Sequence, residues 1–447
     1  MKKEEQFYLY LILFHIGIGI CVFLVPFTAK IYGYSMFVLG VYFVIKTQNR
    51  NNEALMAAAY IAGAEVLLRM TGGNVTYEFS KYGVMLFIFL GMYYRGFSKG
   101  AAPYWIFLLL LVPSVVISTF VLNFDTNIRT TIAFNISGPV CLAIASLYTY
   151  RRKIALEQMN SMLLCIGLPI ISCMVYLTLY SPNIRDVITG TQSNFETSGG
   201  FGPNQVATFF GLGMFIFFSR IILESRSKFM LILNLIIALN ISYRGMVTFS
   251  RGGMITGFLM IVLLLVFLYL KSNFRGRVKL NYIIVFIALA MMVTWTYTSF
   301  QTGGLINKRY KNQDAAGRAK EDQFTGRGDI AEDEINTFLM NPIFGAGVGK
   351  GVEIREAETG NFVLSHDEIT RMLAEHGSLG ILGLLILFFT PLVLYLENKF
   401  NMFLLCFVAF WFFTINHAAM RTAIPAFVYS LSLLNVQIGG TKKVKVD

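Results

Sequence analysis

The sequence has little charge. Asp, Glu, Lys and Arg make up 14% of its 447 residues, against about 25% in an ordinary soluble domain. The deficit runs along most of the chain, which excludes a soluble domain held by a single anchor. Low-complexity tracts, short repeats and sharp compositional boundaries are also lacking, so nothing marks a linker or a disordered arm. No segment alternates apolar and polar residues with a period of two, which excludes an outer-membrane barrel. None of the five cysteines (Cys21, Cys141, Cys165, Cys173, Cys406) lies in a long loop, so neither a disulfide framework nor a zinc motif is available. A phosphate-binding P-loop and a glycine-rich dinucleotide turn are both missing, which argues against an ATP-driven pump.

What is present is apolar length. Hydrophobic residues make up 55% of the chain and the mean hydropathy is +0.61. A helix needs about 20 mainly apolar residues to cross a bilayer, and about fourteen stretches approach that length. They fall at 7–26, 32–46, 53–69, 82–96, 103–122, 131–150, 159–180, 204–220, 229–243, 253–271, 282–300, 378–396, 400–416 and 423–438. Inside lipid every backbone amide must bond within its own segment, so these stretches are expected to be helices. The expected fold is an all-α polytopic membrane protein with about 12–14 transmembrane helices. Lys2 and Lys3 precede the first stretch, and no small-x-small cleavage pattern follows it. It reads as an uncleaved first helix.

The net charge of +12 is not a nucleic-acid signal. With the N-terminus in the cytoplasm, the inside loops hold Lys46 and Arg50, Arg95 and Lys99, Arg151–Lys153, Arg226 and Lys228, Lys271–Lys279, Lys399 and Lys442–Lys445. That is a consistent positive-inside pattern, with both termini cytoplasmic. It places residues 301–377 outside the cytoplasm as one large loop. The chain divides accordingly into N-terminal helices (1–200), a core with the large loop (201–400) and C-terminal helices with a tail (401–447).

The loop begins basic, with Lys308, Arg309, Lys311, Arg318, Lys320 and Arg327, and turns acidic after Asp329. Asp329 is expected to cap a helix ending at Met340, before Asn341-Pro342. Gly345, Gly347, Gly349 and Gly351 mark a tight irregular loop. Ser365-His366-Asp367-Glu368 has the form of a capping box, with Ser365 as the cap. The helix it starts is expected to end at Gly377. The loop thus reads as two short helices lying on the outer membrane face.

Three positions carry candidate chemistry. His366, in the first turn of that helix, has its imidazolium disfavoured by the dipole and is suited to accept a proton; the plainer reading is an exposed loop histidine. Arg251, in Ser250-Arg251-Gly252-Gly253, starts an apolar helix where an anion is welcome and where two glycines let it approach the backbone; the plainer reading is a snorkelling side chain. Arg327 suits bidentate phosphate contact, or else pairs with Glu332 or Asp333. Arg309 and Arg318 are weaker phosphate candidates, and Arg244 is placed to line the same cavity. His366, Asp367, Glu368, Glu375 and His376 match no metal-binding spacing. No metal and no cofactor is expected.

These segments together resemble the O-antigen ligase/polymerase family. Ser250-Arg251-Gly252-Gly253 opening a helix, the Asn341-Pro342-Ile343-Phe344-Gly345-Ala346-Gly347-Val348-Gly349 loop, and Ser365-His366-Asp367 followed by Leu373-Ala374-Glu375-His376-Gly377-Ser378-Leu379-Gly380 occur in the family's order and spacing. Gly202-Pro203-Asn204-Gln205 is similar to an earlier family element. The resemblance covers about residues 200–400. It implies a GT-C-type glycosyltransferase of the bacterial inner membrane that needs neither metal nor nucleotide. Its donor would be a glycan on undecaprenyl pyrophosphate and its acceptor a hydroxyl of a glycolipid or glycan. Two arginines would hold the pyrophosphate and a loop histidine would deprotonate the acceptor; by motif, these are Arg251, Arg327 and His366. Asp367 departs from the family's usual Asn. Its carboxylate would raise the histidine pKa, and it is itself a possible base.

The Arg, Arg and His set is the ligase arrangement, which favours transfer to lipid A–core in lipopolysaccharide synthesis. A polymerase of surface polysaccharide is the alternative. A transporter of anionic lipid-linked glycan would be expected to show internal pseudo-symmetry and a midplane site; here the polar residues gather at one face.

Overall fold

A computed structural model describes residues 3–320, 327–360, 363–397 and 401–437. The chain starts with α1 (Lys3–Leu24), α2 (Thr28–Thr47), α3 (Glu53–Thr71), α4 (Phe79–Arg95), α5 (Ala102–Val121) and α6 (Ile128–Thr149). It continues through α7 (Leu156–Tyr180), the short α8 (Ile184–Val187), α9 (Pro203–Leu223), α10 (Lys228–Met246), α11 (Arg251–Lys271) and α12 (Phe274–Gln301). Then come α13 (Leu305–Tyr310), α14 (Arg327–Met340), α15 (Lys350–Thr359), α16 (Glu368–Glu397), α17 (Leu404–Ile415) and α18 (Ala423–Leu431).

The protein is a multi-pass membrane protein. Among the described residues, 11 helices are long and apolar enough to cross a bilayer. Each of the fourteen stretches read from hydropathy coincides with a helix, but three fall short. With a rise of about 1.5 Å per residue, the 17 residues of α4, the 12 of α17 and the 9 of α18 do not reach the roughly 30 Å of a bilayer core. The last stretch also ends early: α18 stops at Leu431, and residues 435–437 form a strand. This strand (β2, Asn435–Gln437) pairs in parallel with β1 (Lys153–Ala155), Ile154 opposite Val436. Among the described residues, this two-stranded element is the regular sheet in an otherwise helical fold.

Several helices start where a polar side chain accepts from a free N–H of the first turn. Asn127 accepts from Thr130 N at 3.1 Å, Ser227 from Met230 N at 3.3 Å and Asn273 from Gly276 N at 2.9 Å.

The chain forms two compact units, 1–80 with 157–321, and 81–156 with 322–447. In the first, α9 lies against α11 through Gly211, Gly253 and Gly257. A Cβ on Gly257 would overlap the backbone of Gly211, and one on Gly253 would overlap that of Ala207 and Thr208. Such small-x3-small spacing lets backbones approach where lipid offers no hydrophobic drive. Gly253 is thus used for helix packing, not for approach of an anion as its motif suggested.

In the second unit the glycine-rich loop after α14 is stitched to α16. Ala346 N donates to Ala374 O at 2.8 Å, Gly347 N to Glu375 O at 3.3 Å and Ser378 N to Pro342 O at 2.8 Å. α16 bends sharply at Gly377, whose φ of 60° and ψ of −143° are open to glycine alone. The segment 301–377 holds more helix than expected: α13 and α15 accompany α14 and the first turns of α16.

Candidate active site

The first unit gathers cations at the N-terminal end of α11. α10 ends at Met246, and the chain turns through Val247–Ser250 into Arg251. Phe249 in this turn has φ 58°, a left-handed conformation unusual for a bulky side chain. Its carbonyl accepts from Nε of Arg309 at 2.9 Å, and Arg309 also donates from Nη2 to Ser193 Oγ at 3.4 Å. Arg251 in turn donates from Nη1 to the main-chain carbonyl of Arg309 at 3.3 Å. Arg309 is 9% exposed.

Lys320 lies within electrostatic reach of both arginines. Burial, then Arg309 and Arg251, push its ammonium below the usual lysine range, against the pull of Asp314. Cation has therefore been placed beside cation, an arrangement suited to an anion of more than one charge. Ser250 Oγ donates to Asn204 Oδ1 at 2.8 Å, which ties the Ser-Arg-Gly-Gly motif to the Gly-Pro-Asn-Gln motif at the start of α9.

An apolar cavity of about 500 Å³ opens between α9, α10, α11 and α12. Met214, Leu239, Met254, Phe258, Trp295 and Tyr310 are among its lining residues. Tyr310 connects it to the cations: it follows Arg309 in α13, its ring packs edge-on to Trp295 with centroids 4.9 Å apart, and it feels both arginines. Burial raises its phenol pKa, while Arg251 and Arg309 pull it back.

The remaining arginines of the sequence reading stand elsewhere. Arg244 is buried and donates to Thr178 Oγ1 at 3.1 Å, to Thr178 O at 3.3 Å and to Ser181 O at 3.1 Å. It thereby satisfies carbonyls left open at the C-terminal end of α7, a structural role. Arg318 is 81% exposed at its side chain and pairs with Asp314, Nε to Oδ2 at 2.8 Å. Asp314 also accepts from the Arg318 main-chain N–H at 2.9 Å, so the turn closes on itself. Arg327 opens α14, and its side chain lies outside the described residues. Lys320 and Tyr310 were not singled out by the sequence; Lys320 belongs to the basic run, but only folding shows which of its members meet.

In the second unit His366 is exposed, on the non-helical stretch before α16. The cap of α16 is Asp367, not Ser365: its Oδ1 accepts from Ile369 N at 2.8 Å. His366 therefore sits just ahead of the helix, not within its first turn. Glu368, expected to close a capping box, is instead buried between Arg371 and the N–H of Met420, which donates to it at 3.2 Å. Burial raises the Asp367 carboxyl pKa, opposed by the N–H groups of Ile369 and Thr370.

Glu334 of α14 is 2% exposed. It accepts from Ser365 Oγ at 3.2 Å and from Thr370 Oγ1 at 2.6 Å. Arg355 Nη1 pairs with it at 3.3 Å. Burial lifts its pKa, and Thr370, Arg355 and Ser365 restrain the rise.

No curated protein and no solved structure matches the chain. Residues 233–388 match the family model described as O-antigen ligase. The matched stretch contains Arg251, Arg309, the glycine-rich loop and His366, and over these residues the chain is similar to the O-antigen ligase family.

Proposed function

We propose that this membrane protein transfers a glycan from undecaprenyl pyrophosphate to an acceptor hydroxyl at the outer face of the bacterial inner membrane. The observation that carries the reading is the apolar cavity of about 500 Å³ that ends at Tyr310, beside Arg309 and Arg251. An isoprenoid tail needs an apolar channel, and its diphosphate needs cations at the mouth of that channel.

In the reaction so read, Arg251 and Arg309 bind the diphosphate and stabilise the charge that builds on it as the glycosidic bond breaks. Arg309 takes the place that the motif comparison gave to Arg327, and Lys320 adds a third cation. His366 accepts the proton of the attacking hydroxyl. Asp367 is the less suitable base, because its carboxylate is engaged in capping α16. A single displacement of this kind inverts the anomeric centre. The acceptor favoured is lipid A–core, as for a ligase; a polymerase would use the same groups with another lipid-linked repeat as acceptor.

The test is a gel of surface glycans from a deletion strain complemented with wild type, Arg251→Ala or His366→Ala, each checked for accumulation in the membrane. Loss of glycan attachment in both variants is expected. Polymer that still builds up on the lipid carrier means ligase, whereas single repeats still attached mean polymerase. A normal glycan pattern in both variants overturns the reading.

A further inference from the structure

The stretch that displays His366 is held from several sides within the second unit. Arg355 of α15 donates from Nε to Val363 O at 3.2 Å. Arg421, in the turn between α17 and α18, donates from Nη2 to Ser365 O at 2.9 Å, and its guanidinium lies 4.5 Å from the ring centroid of Phe134. Glu334 takes the hydroxyls of Ser365 and Thr370, one on each side of His366, and it also meets Arg355. Glu334 and Arg355 are 2% and 4% exposed, yet neither belongs to the core of a bilayer-crossing helix. Two buried charges that could have been replaced by apolar side chains are costly to keep. Their bonds converge on a segment of eight residues whose exposed member is His366.

We infer that Glu334, with Arg355 and Arg421, is a positioning residue that fixes the main chain on both sides of His366. The inference rests on the reading of His366 as the base. A base must be held close to its productive place, since a displacement of about 1 Å can cost on the order of a hundredfold in rate. Anchoring Val363, Ser365 and Thr370 leaves the imidazole only its own side-chain torsions to adjust. Glu334 is the centre of the arrangement because it touches both flanks and Arg355.

The experiment is a double-mutant cycle on the full-length protein in membranes that carry the native donor and acceptor. The initial rate of glycan transfer is measured for wild type, Glu334→Gln, His366→Ala and the double variant. Binding of undecaprenyl pyrophosphate to each purified protein is measured alongside. Glu334→Gln is expected to slow transfer between about ten- and a hundredfold with binding unchanged. Added to His366→Ala, it should cost nothing more, because a residue acting only through His366 has nothing left to position. If the two losses multiply, or if binding falls with transfer, Glu334 merely supports the fold and the inference is overturned. If His366→Ala slows transfer and Glu334→Gln does not, this inference alone fails. If His366→Ala transfers at the wild-type rate, the base assignment fails. Should Glu334→Gln not accumulate, Ser365→Ala removes one anchor while leaving the Glu334–Arg355 pair, and the same outcomes decide.

Discussion

Nε of Arg309 donates to the carbonyl of Phe249 across 2.9 Å, and Phe249 is the residue held at φ 58°. A non-glycine residue in that conformation costs about 1–3 kcal/mol and persists only where neighbours enforce it. Phe249 is fully buried with Val247, Ile184, Ile188 and Ile306, so apolar packing and a charged hydrogen bond hold the turn together. The turn sets the direction in which Arg251 leaves α11. Arg309→Lys is therefore expected to lose more than a phosphate contact. An ammonium cannot reproduce the in-plane Nε–H together with a second donor on Ser193. The variant should lose about 1.5–3 kcal/mol of stability, read by thermal unfolding in detergent, and should fail to bind undecaprenyl pyrophosphate. Wild-type binding by Arg309→Lys would show that any cation suffices there.

Lys320 is predicted to serve binding at the expense of stability. Its ammonium is held below the usual range by burial and by two arginines, so the charged form is less favourable in the folded chain than in the unfolded one. That cost is present at neutral pH and disappears as pH rises above the lowered pKa. Lys320→Met should raise the melting temperature at pH 7 and weaken binding of inorganic pyrophosphate. An unchanged pyrophosphate affinity would remove Lys320 from the anion site.

Hydropathy found every long helix because bilayer burial leaves a long apolar run with few alternatives. It overcounted at α17 and α18, where apolar residues are buried against protein; all nine residues of α18 are buried. The two strands were not legible, being three residues each and stabilised by a partner some 280 positions away. α15 was hidden because its sequence, Lys350–Thr359, carries no apolar period. The motifs singled out Arg251 and His366 as candidates, but could not show which basic loop residue meets Arg251. Arg309, Arg318 and Lys320 carry the same charge in one basic run, and only the fold of residues 305–320 separates Arg318, turned to Asp314, from the other two. The capping box misled for a related reason. Ser365 and Asp367 both have capping side chains, and Glu334, 31 residues earlier, engages the serine.

Asp367→Asn separates the two possible bases. Asparagine caps helices as well as aspartate does, so α16 should keep its start. Burial raises the Asp367 pKa above its ordinary value, which means that ionisation costs more in the folded chain. The cost is absent below the ordinary carboxyl pKa and grows as pH rises through the interval up to the raised one. The asparagine variant should therefore gain more in melting temperature over wild type at pH 7 than at pH 4. Its glycan transfer should persist if His366 is the base. Loss of transfer with the protein intact would move the role to Asp367.

Gly345 and Gly303 share a backbone conformation but not an environment, and the difference predicts their tolerance of alanine. Gly345 has φ 74° and Gly303 φ 57°, so alanine at either meets the left-handed penalty of about 1–2 kcal/mol. Around Gly303 a Cβ finds open space, whereas at Gly345 it overlaps the backbone of Glu375 and His376. That overlap falls where Ala346 and Gly347 bond to the carbonyls of Ala374 and Glu375. A backbone neighbour cannot move aside as a flexible side chain can, and forcing extra volume into such a contact typically adds about 1–3 kcal/mol. Gly345→Ala should thus destabilise the protein clearly more than Gly303→Ala, in thermal unfolding of the two variants under one detergent condition. It should also slow transfer, because the loop it distorts abuts the helix that begins beside His366. Equal melting temperatures would mean that the loop yields to the added methyl, and that the fit between the glycine motif and α16 does not constrain the site.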